Sequence, residues 1–337
     1  MKWYDKISNT DDVVISSRVR LARNLEGFAF PARLDNETSR KVALCVKQAL
    51  ENKYGNSLVF HEMDKGTFSD VLVEEHIISP DFAEDKGIYR SLASDEENNL
   101  AIMINEEDHV RIQAIYPGLN LEKAYEKANE ADDAIISGTS VAYDESLGFL
   151  TSCPTNLGTG MRASVMLHLP GLSAFGYIKS IVGLMNKIGL TVRGMYGEGS
   201  DARANMYQLS NQVTLGISEE DTISKLKSAV NQIVEREREM RKKLLENPDS
   251  ETHDKLWRSY GTLRYARRID TNEASKLISN VRLAGVCGII PEIKDKNLVK
   301  LLFEIMPSHI VSRFPEATDS TLRDKYRADL IRQFLGE

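Results

Sequence analysis

Hydrophobic and polar positions follow two periods along this chain, and the switch between them predicts its elements. Alternation over residues 13–20 predicts a strand that sends Arg18 and Arg20 to one face. Helical spacing of Val42, Leu44, Cys45, Val46 and Leu50 predicts a helix over 36–53, followed by short β-like runs at 58–60 and 71–73. Residues 100–104 and 110–115 predict a hairpin whose tip is the acidic run Asn105, Glu106, Glu107, Asp108 and His109. Next come a helix over 121–136, a strand over 148–152 and a helix over 162–169 after a glycine-rich turn. Antiparallel strands are expected over 190–194 and 206–215.

Strands and helices therefore mix without a βαβ rhythm, which predicts an α+β fold: a largely antiparallel sheet flanked by helices. Ser218, with Asp221 three residues on, starts a long helix striped by Ile223, Leu226, Val230, Ile233 and Val234. Asn247, Pro248, Asp249 and Ser250 break that pattern. Beyond them only helical stripes occur, which predicts a small all-α domain. The expected division is a frayed leader over 1–12, a main domain over 13–246 and a helical domain over 251–337.

Composition narrows the function classes. The chain has 337 residues, enough for two domains with their own cores. Its three cysteines, Cys45, Cys153 and Cys287, make neither a disulfide framework nor a CxxC pair, which points to a reducing, cytoplasmic setting. The N-terminus lacks a signal-peptide pattern, and no run of about 18 apolar residues suits a membrane. A formal charge of −7 argues against coating nucleic acid.

Among motifs, a phosphate-binding P-loop is absent. Gly158, Gly160 and Ala163 match the dinucleotide fingerprint G-x-G-x-x-A. No Asp or Glu lies between Glu145 and Glu198 to bind a ribose, so the match is set aside. More unusual are Arg18, Arg20, Arg111, Arg162 and Arg193, all in turns or at strand ends. Singly each reads as a surface charge; converging on one cleft, their planar forks would suit the oxygens of a triphosphate. Glu106, Glu107 and Asp108 read as an exposed turn or, with Glu198 in its glycine-flanked loop, as a carboxylate clamp for a planar cation. Cys153 reads as a small buried residue or as a thiolate beside a guanidinium. His76 is uninformative alone, and histidine spacing predicts no metal held by protein side chains.

In combination, the segments 16–20, 105–111, 153–162 and 193–198 resemble the ATP:guanidino phosphotransferase family, over roughly residues 13–240. The resemblance implies a phosphagen-kinase or glutamine-synthetase-like catalytic domain that uses ATP and Mg2+. It implies that Ser16, Ser17, Arg18, Val19, Arg20, His76, Arg111, Arg162, Ala163, Ser164, Val165, Met166, Arg193, Gly194, Met195, Tyr196 and Gly197 bind ATP. Glu107 would be the base, Glu198 the second carboxylate and Cys153 the active-site thiolate.

A short stretch before the first motif and a C-terminal helical domain resemble the family's bacterial protein-arginine kinases, the McsB type. The alternative is a kinase of free arginine or another small guanidino compound. Arg323, Asp324, Arg327 and Ala328 match that branch's RDxxRA motif, which implies an allosteric phosphoarginine pocket in a dimer-forming domain. Asp201 and Ala204 stand where the resemblance leads one to expect Glu and Gly. It further implies protein substrates with exposed arginine, a zinc-finger activator, a heat-shock repressor substrate and a Clp ATPase or protease as partner, with no direct nucleic acid and no membrane.

Overall fold

The computed structural model describes residues 2–6, 12–63, 66–84, 87–194 and 202–336. In chain order its strands are β1 (Val14–Arg23), β2 (Val59–Glu62), β3 (Ser91–Ser94), β4 (Leu100–Ile104), β5 (Val110–Pro117), β6 (Tyr143–Asp144), β7 (Gly148–Phe149), β8 (Met161–His168), β9 (Leu190–Gly194) and β10 (Met206–Asn211). Its helices are α1 (Asn36–Tyr54), α2 (Thr67–Glu74), α3 (Pro80–Ala83), α4 (Leu121–Gly138), α5 (Pro170–Ala174), α6 (Ile178–Lys187), α7 (Glu219–Leu244), α8 (Glu251–Tyr265), α9 (Thr271–Val286), α10 (Leu298–Glu304), α11 (Pro307–Arg313) and α12 (Ser320–Leu335).

Eight strands form one sheet in the order β2, β3, β4, β5, β1, β8, β10, β9, while β6 and β7 make a separate hairpin. The pairs β2/β3, β3/β4, β4/β5 and β5/β1 are antiparallel, so the α+β expectation holds. Hairpin β4/β5 turns at residues 105–109, as the alternation on both sides predicts. No strand occurs among the described residues after Ser250.

Contacts divide the chain into two compact units. The first comprises the residues through Trp3, Ser16–Val165 and Ser210–Ser228. Its core joins Ile102, Ile104 and Ile112 of the sheet to the inward stripes of α1 and α4. Each aliphatic side chain buried there contributes about 1.5–3 kcal/mol. α4 presents mainly alanines, Ala124, Ala128 and Ala131, whose small side chains let it lie close to α1 and β5. Asp35 caps α1 by accepting from the Thr38 amide at 2.7 Å.

The second unit comprises Tyr4–Ile15, Met166–Leu209 and Ala229–Glu337. Its interior is ionic as well as apolar. Glu237 on α7 is fully buried and accepts from the Gly171 and Leu172 amides at the start of α5 and from Arg241 Nε at 2.7 Å. Arg282 on α9 donates to His168 Nδ1 at 2.6 Å, and burial beside Arg282 and Arg241 keeps that imidazole neutral.

Several expectations are corrected. Residues 162–169 are not a helix but largely the interior strand β8, in which Ala163 through His168 are all buried. A continuous apolar run fits a two-sided interior strand as well as a buried helix turn, and pairing decided it. Residues 71–73 lie in α2, not a strand: its buried positions Ser69 and Leu72 are three apart, a helical spacing that outweighs two valines. The strand over 148–152 shrinks to Gly148–Phe149 because Ser152 donates its amide to Asp108 instead of a neighbouring strand. The leader is not wholly frayed: Trp3 and Tyr4 are 1 % exposed, and Tyr4 stacks on Phe303 with ring centroids 4.7 Å apart.

Within the first unit, Arg23 on β1 meets Asp132 on α4 through Nη2 at 2.6 Å, with both side chains almost fully buried. Arg23 also lies 3.5 Å from the centroid of the Phe149 ring and donates to two carbonyls. Breaking a buried pair strands the remaining charge. Asp132→Ala should therefore lower unfolding free energy by about 3–5 kcal/mol, read from chemical denaturation; a loss near zero would show the pair to be dispensable.

Candidate functional site

Side chains opposite one another in an antiparallel pair share a face. Ala22 of β1 lies opposite Arg111 of β5, and Arg20 lies opposite Gln113. Arg18 and Arg20 are two apart on β1, so Arg18, Arg20, Arg111 and Gln113 occupy one face of two adjacent strands. Val19 is buried on the other side. Strand β8 flanks β1, and its Arg162 donates Nη2 to Ser210 at 3.2 Å.

These guanidiniums repel one another. Burial first, then Arg111 and Arg162, pull Arg18 down to about 10. Burial followed by Arg18, Arg111 and Arg162 pulls Arg20 well below its ordinary value, opposed by Glu106. Because guanidinium does not shed its proton in proteins, the cluster remains a concentration of positive charge that favours an anion. Arg20 Nε is buried and has no hydrogen-bond partner among the described residues.

The acidic hairpin tip is built residue by residue. Asn105, with φ of 63°, donates Nδ2 to the Ser39 and Tyr89 carbonyls. Glu106 is buried and accepts from Arg111 Nη1 at 2.6 Å, from Ser79 Oγ and from the Glu107 amide. Burial alone would raise its pKa, but Arg111 and these donors hold it below the usual value. Asp108, also buried, accepts from Asn24 Nδ2 and the Ser152 amide. His109 Nδ1 accepts from the Leu25 amide while Nε2 meets the Ala29 carbonyl, an arrangement of a neutral ring. Glu107 alone of the three acids is exposed.

Glu107 lines a cavity of about 630 Å³ with Glu106, Arg111, Arg90, Asp81 and Ser152, among others. Partial desolvation, then Asp108 and Glu106, raise its pKa against the pull of Arg111. The cavity thus joins the arginine face to a carboxylate with raised proton affinity. Such an arrangement can hold an anion on one side and take a proton from a cationic nucleophile on the other.

Neighbouring sequences complete the comparison. The ATP:guanido phosphotransferase C-terminal catalytic domain profile matches residues 37–240, and that of the protein-arginine kinase McsB C-terminal domain matches 249–337. A protein-arginine kinase of Syntrophomonas wolfei is 44% identical over 99% of this chain and 95% of its own length. The chain belongs to the ATP:guanido phosphotransferase family, in its protein-arginine-kinase branch. Another protein-arginine kinase, from Geobacillus stearothermophilus, is 42% identical over 99% of this chain and 93% of its own. Among solved structures, lombricine kinase superposes with a TM-score of 0.60 at 26% identity, covering 70% of each chain. A duplicated taurocyamine kinase from Schistosoma mansoni gives 0.61 at 28% identity, over 77% of this chain and 39% of its own.

The remaining family positions fall variously. His76 has its imidazole beside Arg18 and Arg20; burial first and then those charges push it down to about 3. Ser16 and Ser17 are buried, and Ser17 Oγ bonds Gly118 and Asn120 at the start of α4. Ala163, Val165 and Met166 are buried strand residues, and Ser164 Oγ reaches the Arg18 carbonyl at 3.5 Å. Cys153 follows cavity-lining Ser152, with Sγ 3.0 Å from Thr155 Oγ1. The GxGxxA string opens a strand, where a dinucleotide fingerprint would open a helix. Gly158 has φ of 101°, and a Cβ there would sit 2.2 Å from the Thr214 carbonyl.

Arg193 and Gly194 lie on β9 in the second unit, Arg193 exposed. Met195, Tyr196, Gly197, Glu198 and Asp201 lie outside the described residues. In the helical domain, Arg327 is 1 % exposed and donates to Ile305 O, Ile269 O and Asp324 Oδ1, while Arg323 is half-buried and reaches only Thr318 O, at 3.4 Å, among its described bonds. Ala328 is buried behind them.

The sequence marks neither Arg90 nor Gln113 as a site residue, and among the tip's acids only the family resemblance sets Glu107 apart. Gln113 joins the arginine face only through the β1/β5 register, which no local pattern shows, and Arg90 leaves no pattern.

Ala204, where the family pattern leads one to expect Gly, has φ of 58° and ψ of 26°. A non-glycine residue in that left-handed region costs roughly 1–2 kcal/mol. Ala204→Gly should therefore stabilise the fold by about 1 kcal/mol, seen as a raised thermal midpoint; a lowered midpoint would contradict the backbone assignment.

Proposed function

We propose that this phosphotransferase moves the γ-phosphoryl of Mg-ATP to arginine side chains of proteins, giving phosphoarginine. The carrying observation is the shared face of Arg18, Arg20, Arg111 and Arg162, countered by Glu106, with exposed Glu107 in the adjoining cavity. Buried, unpartnered Arg20 Nε is a donor suited to a phosphate oxygen. Magnesium, when bound, would neutralise part of the phosphate charge. The reluctance of magnesium to dehydrate suits an ion carried mainly by phosphates and water.

In this reading the arginines hold the polyphosphate and stabilise charge developing on the transferred group. Glu106 fixes Arg111 through its short ion pair. Glu107 orients the attacking guanidinium nitrogen and accepts its proton as the nitrogen–phosphorus bond forms and the bond to ADP breaks. Glu198 is the second carboxylate of the clamp, and Cys153 adds negative charge beside the guanidinium. Arg193 and residues 194–197 complete the nucleotide contacts. The catalytic domain is assigned to 13–246 and the dimerising helical domain to 251–337. There Arg323, Asp324, Arg327 and Ala328 form an allosteric phosphoarginine site, with Arg323 as the accessible cation. The same proposal covers a cytoplasmic stress-response role with a zinc-finger activator, modification of a heat-shock repressor and delivery to a Clp protease. The family resemblance supports it.

Glu107→Gln should lower kcat by about 10²- to 10⁴-fold with little change in KM for ATP, followed by phosphorus NMR of an arginine-rich unfolded protein. Glu106→Gln should instead raise KM for ATP, because Arg111 loses its anchor. Turnover of free arginine without transfer to the protein would overturn the substrate assignment in favour of a small-guanidine kinase.

The raised pKa of Glu107 has a sign in activity. The base works only deprotonated, so kcat/KM should fall with decreasing pH through a midpoint above that of an ordinary glutamate. A profile flat down to ordinary glutamate titration would remove Glu107 as the base.

A further inference from the structure

We infer that Trp3, in the N-terminal turn, and Gln113, on β5, are positioning residues for the nucleotide site, which hold the His76 peptide against the arginine face. The inference rests on the proposed reading of that face as an ATP site. His76 has φ of 62°, a backbone conformation that bulky L-residues rarely adopt and that persists only where surroundings impose it. Here they do. Three successive carbonyls are each gripped by a side-chain N–H: Glu75 O by Trp3 Nε1 at 3.0 Å, His76 O by Gln113 Nε2 at 2.7 Å and Ile77 O by the same nitrogen at 3.0 Å.

The grips are built into the interior. Trp3, Glu75, Ile77 and Gln113 are each at most 3 % exposed. The Glu75 carboxylate is paired with the Lys2 ammonium, which ties the same peptide to the chain's start a second time. Gln113 stands opposite Arg20 in the β1/β5 register, so the residue that fixes the His76 carbonyl belongs to the same row as the arginines. The result is an imidazole kept neutral beside Arg18 and Arg20. A neutral ring there contacts a nucleotide without adding repulsion to four guanidiniums and without competing for the phosphates. Trp3 and Lys2 thereby act on the site through the Glu75 peptide.

Trp3→Phe keeps the buried ring and removes its N–H; Gln113→Met keeps the volume and removes the amide. Loss of the one hydrogen bond of Trp3, or of the two of Gln113, should weaken ATP binding, by calorimetry, and raise KM for ATP by roughly 3- to 10-fold, with kcat for phosphoryl transfer within about 2-fold. The double variant should lose less than the product of the singles, because both donors hold one peptide. ATP affinity equal to that of the unsubstituted chain, or loss confined to kcat and thermal midpoint, overturns the inference. Should Trp3→Phe fail to fold, Gln113→Met alone decides. An unsubstituted chain that binds ATP yet transfers no phosphoryl refutes the proposed function while leaving this inference to the affinity ratios; one that binds no ATP refutes both.

Discussion

Mutual repulsion among guanidiniums crowded on one sheet face is the constraint on which this catalytic unit depends. Arg18, Arg20, Arg111 and Arg162 cannot relieve it by deprotonation, and the neighbouring carboxylate that opposes it is that of Glu106. A rigid scaffold must therefore hold the charges together against that repulsion. Strands supply that rigidity better than loops: register fixes which side chains share a face, and neighbouring strands prevent the backbone from twisting them apart.

The hairpin tip shows how one short acidic run divides its labour. Asn105, Asp108 and His109 spend their polar groups on backbone, on Asn24 and on Ser152. Glu106 is committed to Arg111. Glu107, the exposed acid of the three, lines the cavity beside Glu106, and partial desolvation followed by the two flanking carboxylates raises its proton affinity. Buried side chains thus frame a single exposed acid within one short turn.

Periodicity carried much of the fold. The arginine strand, the β4/β5 hairpin, α1, α4 and the helical end of the chain were all legible, since amphipathic patterns record which face meets a core. Each failure has its own physical cause. At 162–169 both faces are buried, so no contrast between faces remained to show the period. At 71–73 a helix of eight residues was too short for its spacing to outweigh two β-branched residues. At Trp3 and Tyr4 a polar context concealed two aromatic anchors whose partners, Glu75 O and Phe303, lie far along the chain.

The linear order of residues by itself determined the chemical inventory: which guanidiniums and carboxylates exist, that Arg18 and Arg20 face the same way, and which family the motifs resemble. Tertiary structure alone decided that Glu106 is buried against Arg111 while Glu107 stays exposed, that Arg327 is spent on carbonyls while Arg323 is more open, and that Gln113 reaches His76. Local pattern encodes direction relative to a neighbour two to four residues away. Burial, charge coupling and hydrogen bonding between segments such as Gln113 and His76 arise only when the chain closes on itself, and they select one role for each of several chemically equal side chains.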